Sequence, residues 1–150
     1  MNEINQKWIR FADNVTLREL NKNDVALKCP YMNNLFATSM QILPLMNEVV
    51  SNLFIVRGFE SEKKQKYDKS VVTEVDKLFS KGLAIELSWP NYKPDVAIEY
   101  CKDLIERIGS DDFNIVVTPI SIVYHYDKES RALVQEFEEN KKTIRRVIIK

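Results

Sequence analysis

The stretch FNIVVTPISIVYHYD, residues 113–127, constrains what this chain can fold into more than any other part of it. It is the densest run of β-branched and aromatic side chains in the sequence, the composition of strands that are half-buried or buried on both faces. Pro119 alone interrupts it. Because proline brings no N–H to a strand ladder, the run reads as two strands hinged at that residue. A sheet built on them needs cover and neighbours: the residues before it carry helical patterns, and those after it carry strand patterns.

Immediately upstream, LAIELSW at 83–89 alternates Leu83, Ile85, Leu87 and Trp89 against Ala84, Glu86 and Ser88, the period of a strand with one wet face. Pro90 stops it, PNYKPD turns the chain, and Asp95 is placed to cap a helix whose Ala97, Cys101, Leu104, Ile105 and Ile108 share one stripe, with Gly109 ending it. Strand, helix and strand over 83–118 predict a βαβ unit, with a right-handed crossover if its strands are parallel. A preceding helix is expected from Ser70 as cap, through Val71, Val75, Leu78 and Phe79, to Gly82 as the left-handed stop.

Beyond Pro119, Ile120, Ile122, Tyr124 and Tyr126 alternate, DKES offers a turn, and RALVQEF reads as the antiparallel partner, with Leu133 opposite Tyr124 and Phe137 opposite Ile120. The rival pattern, a helix from Ser130 with Leu133, Phe137 and Ile144 as its stripe, is less favoured. ENKK then turns into TIRRVIIK, a terminal strand whose charges suit a sheet edge.

In the first third, Ile4, Trp8, Phe11 and Ala12 have the spacing of a short amphipathic helix. Residues 14–29 alternate weakly, as a hairpin turning at NKND would, although Thr16 and Glu19 also have capping-box spacing. A helix capped by Asn33 or Asn34 carries Leu35, Phe36, Met40 and Leu43, and should kink or restart at Pro44. Met46, Val49, Val50, Leu53 and Phe54 continue an apolar stripe that reads as core rather than as an adaptable Met-rich groove, with Gly58 as its cap, although 54–56 also fits a short strand. The fold expected is a mixed α+β single domain over 1–150. It comprises a helical half at 1–58, an exposed charged loop at 59–69 and an α/β half at 70–150, with helices on one face of a mixed sheet that ends in an antiparallel meander.

Lys plus Arg and Asp plus Glu both number 22, so no global field draws nucleic acid or anionic lipid. Residues 35–56 are long enough to span a bilayer, but Gln41, Asn47, Glu48 and Asn52 make insertion costly, and no membrane association is expected. Cys29 and Cys101 fit neither a disulfide framework nor a metal motif, and the opening MNEINQKWIRFADN has no basic-then-apolar leader, so a cytoplasmic protein is expected. Only three glycines leave little material for loops that cradle cofactor phosphates, and no cofactor is expected.

His125 is the single histidine, expected to sit idle and partly exposed on the strand face opposite Tyr124 and Tyr126. No Ser-His-Asp order, HExxH, P-loop or GxGxxG can be written, and the neighbouring pairs Asp111 with Asp112 and Glu138 with Glu139 diverge on a strand, so no metal is expected. Two clusters remain for partner binding: Lys141, Lys142, Arg145 and Arg146 on the terminal strand, and Trp89, Tyr92 and Lys93 on a proline-rich turn, where Tyr92 is the better surface residue and Trp89 reads as core. The function expected is a non-catalytic intracellular protein–protein interaction module, a regulator, inhibitor or assembly component, able to form a homodimer through its terminal edge strand. The alternatives are nucleic-acid binding through the C-terminal basic patch and a small enzyme with a carboxylate and tyrosine site.

Overall fold

The computed structural model describes residues 6–108, 111–129, 132–139 and 142–149. The chain runs through a 3-10 turn at Gln6–Trp8, β1 (Arg10–Ala12), β2 (Val15–Thr16), α1 (Leu17–Leu20), α2 (Met32–Val49), β3 (Phe54–Arg57), α3 (Glu62–Asp68) and α4 (Glu74–Phe79). It continues through β4 (Ala84–Ser88), α5 (Pro94–Ile105), β5 (Phe113–Val117), β6 (Ile122–Tyr126), β7 (Ala132–Glu139) and β8 (Lys142–Ile149). β1 and β2 form a small hairpin, and the other six strands make one mixed sheet in the order β3-β4-β6-β5-β7-β8. All neighbours in that sheet are antiparallel except β5 and β7. The architecture is the expected α+β arrangement.

The hinge at Pro119 folds β6 back on β5, with Val117 opposite Ile122 and Phe113 opposite Tyr126. β4 and β5 both run antiparallel to β6, so the strand-helix-strand unit is present but split, with β6 inserted between its two parallel strands. The expected pairing of Leu133 with Tyr124 does not form: β6 already has a neighbour on each side, and β7 takes the free edge of β5 in parallel, Leu133 lying opposite Ile115. All five residues of β5 are buried, because its alternating side chains are covered on both faces, Phe113, Ile115 and Val117 in the main core and Val116 in the cluster opposite. β7 and β8 then form the antiparallel C-terminal hairpin, with β8 as a sheet edge.

One face of the sheet carries the main core. Ile85 and Leu87 of β4, Ile115 and Val117 of β5, Ile122 and Tyr124 of β6, and Leu133 of β7 pack with Leu35, Ile42, Leu43 and Met46 of α2 and with Ala97, Cys101, Leu104 and Ile105 of α5. The Tyr124 hydroxyl donates to Gln41 Oε1 at 3.0 Å, which gives that buried ring a partner on α2. The opposite face holds a smaller cluster of Val116, Ala132 and Val134, with Val123 against it. Among the described residues, no helix is long and apolar enough to cross a membrane.

Several local expectations are corrected. Residues 10–16 form a hairpin instead of continuing an N-terminal helix, and Trp8 is 81% exposed, off the face that buries Phe11 and Ala12. The capping box of Thr16 and Glu19 prevails over alternation and starts α1, so 14–29 is not a hairpin, while Asn21 closes the NKND turn on the Val25 backbone. α2 runs unbroken through Pro44; the carbonyl that proline leaves without a donor belongs to Met40, which is 58% exposed, so water can serve it. The charged stretch expected as a loop forms α3, capped by Ser61, whose Oγ accepts from the Lys64 N–H. α4 begins later than expected, at a capping box of Thr73 and Asp76, and Val71 lies outside it and exposed. Lys93, not Asp95, holds the N-cap position of α5, with Pro94 at its first turn. Gly82 closes α4 with φ +72 as expected, whereas Gly58 caps no helix: a Cβ there would lie 2.2 Å from the Leu20 carbonyl oxygen.

Candidate functional site

The sheet ends in two edges of different character. β3 is four residues long, its register shifts between Ile55 and Arg57, and Lys22 Nζ donates to the Ile55 carbonyl at 3.1 Å. Short length, a shift and a plugging lysine are the usual devices that blunt an edge against a further strand. β8 is eight residues long and, among the described residues, is paired on one side only, by β7. The last residue of β7 that pairs with β5 is Gln135, opposite Val117; from Glu136 onward β7 pairs with β8 alone, so the two form a ribbon that projects past the rest of the sheet.

Alternation distributes the side chains of this ribbon. Thr143, Arg145 and Val147 share a face with Glu138, Glu136 and Val134, their cross-strand partners. Ile144, Arg146 and Lys142 fall on the other, with Phe137 opposite Ile144 and Gln135 opposite Arg146. Arg145 Nε lies 3.0 Å from Glu136 Oε1 and its side chain remains 58% exposed. Lys142 and Arg146 are exposed as well, and Lys141 lies outside the described residues. The basic cluster expected from sequence therefore straddles the strand: Arg145 and Arg146 point to opposite faces, and they do not converge on one phosphate-binding patch.

Between the base of the ribbon and the β5–β6 turn lies a cleft of about 330 Å³, lined by Glu86, Thr118, Ile120, Glu136, Phe137 and Thr143 among others. The turn that walls it is held firmly. Thr118 Oγ1 accepts from the Ser121 N–H at 3.0 Å, and the Thr118 N–H donates to the Ser121 carbonyl at 2.8 Å. Ser88 Oγ donates to the Ile120 carbonyl at 2.7 Å, and Ser121 Oγ donates to Glu86 Oε2 at 2.6 Å.

The second predicted cluster serves this turn from behind. Trp89 is buried, its ring 4.8 Å from that of Tyr92 in an edge-on arrangement, and the Tyr92 hydroxyl is shared between the carbonyls of Thr118 at 2.9 Å and Ser121 at 2.7 Å. Burial, with the negative charge of Glu86 adding to it, pushes the Tyr92 phenol far above its ordinary range, so it stays a neutral donor. Tyr92 is thus half-buried and occupied, and Lys93 is the exposed member of the trio. The two clusters meet only indirectly, Tyr92 through the turn and Arg145 through Glu136, on opposite walls of the cleft. Sequence reasoning missed Glu86, whose signal was present: it is the one charge in the apolar strand LAIELSW.

His125 is buried rather than partly exposed, its Nδ1 3.0 Å from the Tyr126 carbonyl, on the face that also buries Asn114. Cys101 is buried in the core, which pushes its thiol up to about 12, and Cys29 is also free. Among the described residues, no three or more His, Cys, Asp or Glu side chains are placed to hold a metal ion. Set against known proteins, the chain matches no family model, no curated protein and no solved structure.

Proposed function

We propose that this chain is a non-catalytic protein-interaction module, a regulator, inhibitor or assembly component, that binds an extended segment of a partner protein along β8. The observation that carries the proposal is the contrast between the edges: β3 is short, shifted and plugged by Lys22, whereas β8 offers eight residues on a projecting ribbon. An added strand gains affinity from main-chain hydrogen bonds and specificity from alternate side chains, and exposed β8 supplies both. The cleft at the ribbon's base is walled by Glu86, whose Oε2 accepts from the Ser121 hydroxyl, and by Glu136, paired with Arg145, and carboxylates engaged in this way favour binding over acid–base catalysis. Free Cys29 and Cys101 support a reducing, cytoplasmic setting.

Selection of random peptides displayed on phage against the folded chain, followed by amide hydrogen exchange on the complexes, tests this. The expected result is slowed exchange within 142–149 and little change on β3. Selected peptides that protect other segments and leave β8 unaffected refute it.

A further inference from the structure

β8 carries three cations, Lys142, Arg145 and Arg146, and no acidic residue. Its inner neighbour displays the chemistry that such a strand accepts: read in order, Val134, Gln135, Glu136, Phe137, Glu138 and Glu139 lie opposite Val147, Arg146, Arg145, Ile144, Thr143 and Lys142. Val134 and Phe137 stand opposite Val147 and Ile144, the Glu136 carboxylate pairs with Arg145, and position 139 is in register with Lys142. The outer side of β8 presents the same row, and the exposed Arg145, Arg146 and Val147 have room for a second set of neighbours. Directly opposed like charges destabilise a strand pair, so a second copy of β8, with its own three cations, is a poor partner. An acidic strand is a good one.

We infer that the segment received by β8 is an acidic strand patterned on β7 but with an acid where β7 has Gln135: apolar opposite Val147, acidic opposite Arg146 and Arg145, apolar opposite Ile144 and acidic opposite Lys142. This rests on the edge-binding reading proposed above. It adds the partner's charge and its register.

The test uses the full chain and fluorescence anisotropy, with a labelled synthetic peptide ALVEEFEE, the β7 sequence with Glu in place of Gln135 so that an acid also meets Arg146, its charge-reversed form ALVKKFKK, and two versions of the acidic peptide N-methylated at alternate residues. Three charged cross-strand positions predict that the acidic peptide binds about tenfold more tightly than the basic one. Successive strand amides point to opposite sides, so one N-methylated peptide keeps its affinity and the other loses it. Arg146→Glu, which faces uncharged Gln135 within the fold, weakens the acidic peptide and strengthens the basic one.

Equal binding of acidic and basic peptides, still abolished by one methylation pattern, overturns the acidic preference and leaves edge binding standing. Full binding by both methylated peptides removes the ladder, and with it both the inference and the reading beneath it. Failure of the acidic peptide to bind, while phage-selected peptides protect 142–149, overturns the inference alone. So does tighter binding of an oligothymidine probe, which would assign the strand to nucleic acid, or a dimer mass by light scattering that is lost on Arg146→Glu.

Discussion

Replacing Asp76 by asparagine is the sharpest test of what locks α3 and α4 onto the end of β3. The Asp76 side chain is 7% exposed and lies 2.9 Å from Arg57 Nη2 and 3.4 Å from Lys69 Nζ, while its other oxygen accepts from the Thr73 N–H at 2.9 Å. Burial alone would raise its carboxyl, but the Thr73 backbone, the Arg57 guanidinium, the Thr73 hydroxyl and the Lys69 charge overrule that and bring it from its ordinary 3.8 to about 2. At about 1.4 kcal/mol for each tenfold in proton affinity, this corresponds to about 2 kcal/mol of stability. The sign follows from the direction: a depressed carboxylate stabilises fully above its unfolded value of 3.8, and the contribution disappears as pH falls through about 2. Asp76→Asn should therefore lose about 2 kcal/mol at pH 7 and converge with the parent near pH 2. Urea unfolding followed by the fluorescence of buried Trp89 and by circular dichroism, at steps between pH 7 and pH 2, reads both quantities. Glu60, which burial raises but Arg57 and Gln65 lower overall, shares Arg57 with Asp76, so the same comparison made in a Glu60→Gln background separates the Asp76 contribution from that of its neighbour. A difference that stays constant with pH, or a variant as stable as the parent at pH 7, refutes the reasoning.

Two further substitutions probe close packing. Gly58→Ala places a methyl 2.2 Å from the Leu20 carbonyl oxygen, which accepts from the Phe59 N–H at 2.7 Å; relieving the clash must part these segments, and a loss of about 2 to 4 kcal/mol in the same urea titration is expected. A parent-like midpoint would show that the approach is not tight. Tyr92→Phe removes the donor shared by the Thr118 and Ser121 carbonyls and should cost about 1 to 2 kcal/mol, with faster exchange of amides at 118–121. Unchanged exchange there would mean that the tyrosine does not hold the cleft wall.

Legibility in the sequence followed the range of the interactions involved. The strands flanking Pro119 were readable because their side chains and their break are local, and Gly82 because a helix stop at positive φ needs glycine. The neighbour of β7 was not readable, since LVQEF alternates equally well against any strand; burial of β5 on both faces and the occupied sides of β6 decide it. α3 looked like a solvated loop because its one buried residue is Gln65, whose amide serves Glu60 and the Asp76 backbone rather than an apolar core. The terminal edge and its cations were visible in TIRRVIIK. The role of Tyr92 was not, because the carbonyls it holds lie 26 and 29 residues away.

Cations on a sheet edge have a bland explanation, which is that they keep copies of the chain apart. That purpose alone accounts for Lys142, Arg145 and Arg146, but not for a strand of eight residues that outruns its sheet. Exposed apolar side chains stand on both edges, Phe54 and Val56 on β3 and Val147 on β8, so length separates the two: β3 shows that this fold can end a sheet in four residues and a plugging lysine. An edge built to receive a strand needs length, an apolar position and charge that rejects its own kind. β8 has all three, and in the proposed reading the cations that disfavour a second copy are the ones that select an acidic segment.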